Sequence, residues 1–312
     1  MNKSYSQKIS ERQWNQPDKG QLESQREATF IDDIVQKDHL ERQMLAALDG
    51  SIRTAFDGGA GCGRFSILLA KHGVRVTHFD ISQPMLDKAK ELAAQAGVLG
   101  NMEFVQGALE DLSAYGDGQF DMVLSFDAPV PYTYPNQEKV IGELSRICKK
   151  KLLLSVSSRL GSLPYLADPI QKSHYILDEN SPDPFVQWCL SHREEMAESF
   201  RFDLTGAKRL LAEGVMGGEA EIAEYERGGA PWCITYGFMP DELRGILERL
   251  GWKNIRMAGP GAYARSISWE ILRKIMEDPA QRRDFLDFCF VYDQNPYVLG
   301  MGKDNLFAIA VK

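Results

Sequence analysis

Between Ile52 and Lys71 the chain reads Ile-Arg-Thr-Ala-Phe-Asp-Gly-Gly-Ala-Gly-Cys-Gly-Arg-Phe-Ser-Ile-Leu-Leu-Ala-Lys, an order that few folds accommodate. A short apolar run reaches the acid Asp57 and turns through Gly58, Gly59, Gly61 and Gly63. It resumes with Phe65, Leu68 and Leu69 at helical spacing. Strand, glycine turn and helix in that order aim backbone N–H groups and the positive end of a helix at a ligand. Glycine suits such a turn because it takes positive φ and puts no Cβ in the ligand's way. The stretch reads as a nucleotide-type cofactor loop.

The flanking pattern extends this unit into a sheet. Val74–Phe79 reads as a second strand ending at Asp80. A helix follows with Pro84 near its first turn, Met85, Leu86, Ala89, Leu92 and Ala93 on one face, and Gly97 as its stop. Met102–Val105 and Phe120–Phe126 read as strands three and four, Asn136–Cys148 as a helix and Leu152–Val156 as strand five. Such alternation predicts an α/β fold, a parallel sheet with helices on both faces. Lys149, Lys150 and Lys151 are read as complementing the negative end of the helix before them.

The alternation stops near Ser157. Residues 158–238 carry Pro164, Pro169, Pro182 and Pro184 and fragmentary helical pattern, the clearest being Phe185, Trp188, Cys189, His192, Met196 and Phe200. No strand signal stands out there, so the segment reads as a mostly helical inserted lid. The core pattern returns over 239–312, with a helix at Pro240–Leu250, strand six at Trp252–Met257 and a last strand at Leu306–Val311. Upstream, residues 1–52 read as an arm and a cover helix. Residues 1–23 are polar, a mobile arm or a segment that orders on a ligand, and the stripe from Phe30 to Leu48 makes 24–48 one helix.

Totals exclude several classes. With 36 Lys and Arg against 44 Asp and Glu, the net charge of −8 argues against a broad phosphate-backbone footprint, so no nucleic-acid partner is expected. The five cysteines form no CxxC and sit near no histidine pair, so neither a disulfide frame nor a metal site is expected. No apolar run approaches the ~20 residues that span a membrane. The polar N-terminus does not read as a secretory signal, and a cytoplasmic protein is expected.

The glycine spacing decides the cofactor class. A dinucleotide loop counted from Gly59 needs its third glycine where Arg64 stands. The observed order is Asp57-x-Gly59-x-Gly61-x-Gly63 with Asp80 ending strand two. Gly107-Ala-Leu-Glu-Asp-Leu112 follows strand three, and Phe-Asp-Met-Val-Leu-Ser-Phe forms strand four. Over about residues 53–157, 239–257 and 305–312 this resembles the class I S-adenosylmethionine-dependent methyltransferases, more loosely their small-molecule, quinone-biosynthesis-like branch. The resemblance implies a Rossmann-like seven-stranded sheet, with 53–157 as the S-adenosylmethionine-binding core. It assigns Asp57, Gly59, Ala60, Gly61 and Gly63 to the methionine end of the donor, Asp80 to the ribose hydroxyls and Ile81 to the adenine. Phe126 joins this donor set. The family's adenine-capping acid position holds Ala108 here, so either the backbone of Leu109 reads the adenine alone or Glu110 is drawn in. The family's Lys-Pro-Gly-Gly turn before strand five is replaced by the three lysines.

Methyl transfer is an in-line displacement for which orientation supplies much of the rate, and a general base is needed only for a protonated nucleophile. After strand four, where the family holds its acceptor, Asp127 and Tyr132 are the candidates for orienting or deprotonating it. His174, His192 and Tyr225 are further lid candidates. The lid aromatics Tyr165, Tyr175, Trp188 and Trp232 suit an apolar pocket for a small or medium-sized methyl acceptor, or the interface of a homodimer. The competing readings are an RNA or protein methyltransferase and a non-catalytic S-adenosylmethionine-binding protein.

Overall fold

The computed structural model describes residues 3–26, 29–168 and 170–312, so Met1, Asn2, Glu27, Ala28 and Pro169 lie outside the described residues. Every strand expected of the core forms. The strands are β1 (Thr54–Gly58), β2 (Arg75–Asp80), β3 (Met102–Gln106), β4 (Phe120–Ser125), β5 (Cys148–Val156), β6 (Val215–Met216), β7 (Thr235–Tyr236), β8 (Lys253–Ala258) and β9 (Leu306–Val311). Seven of them make one sheet in the order β3-β2-β1-β4-β5-β9-β8, while β6 and β7 pair separately. The ladder is parallel from β3 through β5, and β9 runs antiparallel to both neighbours. This is the Rossmann-like α/β sheet the pattern implied. The strand order reverses between β1 and β4, which leaves a crevice at their carboxyl ends.

Three helices precede the sheet: α1 (Tyr5–Trp14), α2 (Lys19–Arg26) and α3 (Ile31–Ala47). Within the core run α4 (Arg64–Lys71), α5 (Gln83–Gln95) and α6 (Gln137–Ile147). The segment after β5 holds α7 (Arg159–Ser162), α8 (Gln171–His174), α9 (Pro184–Ser191), α10 (Arg193–Ser199), α11 (Leu204–Glu213) and α12 (Glu219–Glu226). The chain closes with α13 (Pro240–Arg249), α14 (Trp269–Glu277) and α15 (Pro279–Tyr292).

Side chains alternate across β1, so Phe56 faces one layer and Ala55 the other. Phe56 packs with Val140, Leu144, Leu154 and Ile246 beneath α6 and α13. Ala55 packs with Leu40, Phe65, Leu69, Leu124 and Leu153 beneath α3 and α4. Each Val, Leu, Ile or Phe among these, fully buried, contributes roughly 1.5–3 kcal/mol, so the two layers hold the carboxyl edge of the sheet in place. Among the described residues no helix is long and apolar enough to cross a membrane.

Several expectations need correction. The N-terminal arm is helical and docked. Ile9 packs with Val215 and Ile234, Ser82 Oγ donates to Trp14 O at 2.5 Å, and Gln83 N donates to Asn15 Oδ1 at 3.0 Å. Its polar sequence hid this because the contacts are made to caps and backbone as much as to a core. The helix expected over 24–48 is interrupted, because residues 29–31 pair with the lid. Leu177 N donates to Thr29 O at 2.7 Å and Ile31 N to Tyr175 O at 2.8 Å. The lid helix expected from Phe185 to Phe200 breaks at His192, where Ser191 Oγ donates to Trp188 O and crowds the helical ladder. The lid also holds the β6–β7 pair, too short to leave a period in the sequence.

Two of the three lysines do not serve the helix before them. Lys151 Nζ donates to Ala47 O, closing the C-terminus of α3, and Lys150 pairs with Asp121 on β4. All five cysteines are free thiols, with Cys148, Cys189, Cys233 and Cys289 buried and Cys62 half-buried.

Candidate active site

A cavity of about 970 Å³ opens at the carboxyl edge of β1, β2 and β4 and continues beneath the arm and the lid. Of the residues expected to hold the donor, Asp57, Gly59, Ala60, Gly61, Asp80, Ile81, Leu109 and Phe126 line it, as do Asp127, Tyr132 and Glu110. Gly63 and Ala108 are not on its wall. Gly63 instead starts α4 with φ 86°, a left-handed conformation that suits glycine.

Asp57, next to last in β1, is almost fully buried, and Ser66 Oγ of α4 donates to its Oδ2 at 2.6 Å. Burial pushes its carboxyl up to about 7, with the Ser66 hydrogen bond and Lys37 opposing and Asp80 adding. Asp80 accepts from Gly61 N at its Oδ2 and from Ser82 N at its Oδ1, both at 2.8 Å. Burial raises this carboxyl to about 6, against those N–H bonds. A carboxylate has about four acceptor sites, so Asp80 can hold the loop and still accept from a ligand.

The glycine loop is less bare than its sequence implied. Gly59 N and Ala60 N both donate to Phe79 O, at 2.8 and 3.1 Å, Gly61 N goes to Asp80, and Gly63 N donates to Ala60 O at 3.0 Å. The first three N–H groups tie the loop to β2 and the last closes the loop on itself, so none points freely into the cavity. What the loop offers is room. At Gly61, φ 55°, an added Cβ would meet nothing within 4 Å. At Gly59, φ 73°, it would lie 2.3 Å from the ring of Pro129.

That contact brings the segment after β4 directly over the loop. Asp127 and Ala128 have φ of 64° and 70°, two successive non-glycine residues in the left-handed region, a conformation that costs energy and concentrates at functional sites. Asp127 forms an ion pair with Lys37 of α3. Tyr132 is tilted against Trp14 at a ring separation of 6.1 Å, and burial holds its hydroxyl proton well above the usual phenol range. Tyr132 therefore presents a donor rather than a base. Burial also raises the carboxyl of Glu110.

On the lid side, Tyr165, Trp188 and Trp232 line the cavity as expected, whereas Tyr175 packs against the buried Lys303. His174, His192 and Tyr225 lie off the cavity. His174 stacks on Trp269, His192 stacks on Trp188, and Tyr225 lies under Arg12.

Sequence reasoning missed several wall residues. Trp14, Lys19 and Arg26 come from the arm, Asp32 and Lys37 from α3, and Lys303, Asp304 and Asn305 from the turn before β9. Lys303 is buried, pairs with Asp32 and lies 4.9 Å from the ring centres of both Tyr165 and Tyr175. The turn is tight, since a Cβ on Gly302 would lie 2.1 Å from Asn305 O and Asp304 has φ 53°. Gly302 followed two residues later by Asp304 and Asn305, residue types that tolerate the left-handed region, is the sequence sign of a special turn there. Among the described residues no cluster of His, Cys, Asp and Glu could hold a metal ion.

Residues 55–151 match the family model of a methyltransferase domain. Over 82 residues the chain is 32% identical to the tRNA 5-carboxymethoxyuridine methyltransferase of Escherichia coli K12, covering 26% of this chain and 31% of that one. Over 110 residues it is 30% identical to the magnesium-protoporphyrin O-methyltransferase of Synechocystis, covering 35% and 46%. The chain thus spans less than half of the length of these curated relatives. Phosphoethanolamine N-methyltransferase 2 of Haemonchus contortus, solved with S-adenosyl-L-methionine, overlaps 87% of this chain and 52% of its own at TM-score 0.46 and 15% identity. An overlap so loose adds no weight. The matched segment covers β1 through the start of β5 with the acid-glycine loop between β1 and α4, and residues 55–151 carry the pattern of a methyltransferase domain.

Proposed function

We propose that the chain transfers a methyl group from S-adenosylmethionine to a small or medium-sized acceptor held under the lid. One observation carries this reading: a single cavity joins the acids of the glycine loop to Tyr165, Trp188 and Trp232, with Asp127 on its wall. About 970 Å³ lies at the upper end of ordinary ligand sites of ~300–1,000 Å³, enough for a donor with an acceptor beside it.

The residues present fit the donor. Asp57 is a buried carboxylate suited to an amino group, and Asp80 has acceptor capacity left for a ribose diol. Gly61 leaves open space above the loop, and Ile81, Leu109 and Phe126 supply apolar wall. When bound, S-adenosylmethionine supplies an electrophilic methyl group on a sulfonium with a neutral leaving group. The chain's own contribution is to bind, orient and exclude water. Asp127 accepts a hydrogen bond or a proton from the acceptor, Tyr132 donates, and the arm with the lid covers the cavity.

One relative is named for a tRNA substrate and another for a porphyrin. The net charge of −8 and the covered cavity favour the small acceptor. Calorimetry with S-adenosylmethionine, S-adenosylhomocysteine and NAD on wild type and Asp80→Ala tests the donor. Binding of NAD alone would overturn it. Methyl label from the donor, offered to a small-molecule extract and to total RNA, tests the acceptor; label found in the RNA would overturn the small-acceptor reading.

A further inference from the structure

Behind the cavity wall, Asp57, Ser66 and His78 form a hydrogen-bonded chain. Parallel pairing sets Asp57 of β1 opposite His78 of β2, so both side chains leave the same face of the sheet, where α4 brings Ser66 to meet them. Ser66 Oγ lies 2.6 Å from Asp57 Oδ2 and 2.9 Å from His78 Nδ1. Ser66 and His78 are fully buried, and His78 Nε2 makes no hydrogen bond among the described residues. We propose that Ser66 and His78 are positioning residues for the amino-acid end of the donor, a relay whose direction turns with the charge on Asp57. This rests on the reading of Asp57 as the residue that receives that end.

Burial pulls His78 down to about 4, with the backbone of Gly61 opposing, so the ring is neutral near pH 7. One neutral imidazole and one hydroxyl leave two arrangements. With Asp57 ionised, His78 Nδ1–H donates to Ser66 and Ser66 donates to Asp57. With Asp57 protonated, the carboxyl donates to Ser66, Ser66 donates to Nδ1, and the ring carries its proton on Nε2. A cationic amino group arriving at Asp57 selects the first arrangement. The other charged groups facing Asp57 are Asp80, which opposes ionisation, and Lys37, which favours it and is itself held by Asp127. A hydrogen bond to a charged acceptor is roughly twice as strong as one between neutral groups, so losing Ser66 penalises the ionised arrangement more.

The test compares two probes across pH. S-adenosylhomocysteine carries the amino-acid end; 5′-methylthioadenosine is the related adenosine thioether without it. With one unit of carboxyl shift, Ser66→Ala should weaken S-adenosylhomocysteine binding about tenfold below pH ~6, about fivefold near pH 7, and progressively less toward pH ~9. Binding of 5′-methylthioadenosine should not change. His78→Phe should alter the pH profile of the wild type and add nothing in the Ser66→Ala background, because it reaches Asp57 only through Ser66. If Ser66→Ala does not fold, the nearly isosteric Ser66→Cys, a weaker donor, should give the same shift in smaller measure. Equal weakening of both probes at every pH, or no weakening of either, overturns the relay. Failure of the wild type to bind either probe overturns the donor reading instead.

Discussion

Lys37 of the cover helix forms an ion pair with Asp127, the first residue of the left-handed turn that follows β4 and the central residue of the proposed acceptor contact. The pair ties a helix that precedes the core to the edge of the sheet where the chemistry is expected. It also places a cation where a cationic donor is to sit, which is tolerable only because Asp127 and Asp57 lie around it.

Removing the Asp127 charge should therefore harm turnover more than donor binding. Asp127→Asn is expected to lower the methyl-transfer rate by about 10²-fold, the low end of general acid–base contributions, with donor affinity unchanged within about twofold. Lys37→Met is expected to cost only about 1 kcal/mol of stability, since Asp127 is more than a third exposed and the pair is partly screened. Single-turnover label transfer and calorimetry on the two variants check this, and full activity in Asp127→Asn would remove that residue from the reaction.

Gly59 and Gly61, two of the three left-handed glycines of the loop, should respond differently to a methyl group. Gly59→Ala meets the Pro129 ring as well as φ strain, whereas Gly61→Ala meets strain alone. The expected losses are about 3 kcal/mol or more for the first and ~1–2 kcal/mol for the second. Chemical denaturation of both variants orders them, and equal losses would mean that the Pro129 turn yields freely.

Stability without ligand should carry a signature of Asp57. Burial holds its carboxyl up to about 7, so the folded chain keeps a proton that the unfolded chain releases near pH ~4. Stability from this group is full below about pH 4 and is lost as the pH rises to about 7. His39 and His78, held down to about 4 by burial, contribute in the opposite sense over roughly pH 4 to 6.5. The clean observable is thus a difference. Asp57→Asn should gain stability relative to wild type as the pH rises from about 4 to about 7, measured by thermal melts in matched buffers. A constant difference would refute the raised carboxyl.

Docking of α1 and α2 over the cavity predicts that ligand and arm stabilise each other. S-adenosylhomocysteine should slow backbone hydrogen exchange across residues 5–26 more than across α13, which packs on the far face of the sheet. Uniform protection of both regions would show that the arm is no cover.

The sheet was legible in the sequence because its signals are local. Buried strands are short apolar runs and their helices have a 3.6-residue period, so β9 could be located to the residue at Leu306–Val311. Asp57 and Asp80 were legible for the same reason, each standing at the end of such a run. The wall around them was not. Lys37 looks like any polar position of an amphipathic helix, and nothing near Lys303 in sequence shows that Asp32 awaits it about 270 residues away. Gly63 takes a left-handed φ at the start of α4, a backbone demand that composition alone does not separate from a ligand's need for room. The lid candidates His174, His192 and Tyr225 were chosen for chemistry alone, and each has found an aromatic or cationic neighbour elsewhere.

The turn that carries Lys303, Asp304 and Asn305 feeds β9, which fills the slot between β5 and β8. About 150 residues separate the end of β5 from that strand. As the chain leaves the ribosome, the strands bearing Asp57 and Asp80 can pair early, while β5 keeps an open edge until β9 arrives. A nascent chain would thus acquire the strands bearing Asp57 and Asp80 before this part of the cavity wall. Throughout that interval the uncovered edge of β5, Leu152-Leu-Leu-Ser-Val156, is the place where another strand could intrude.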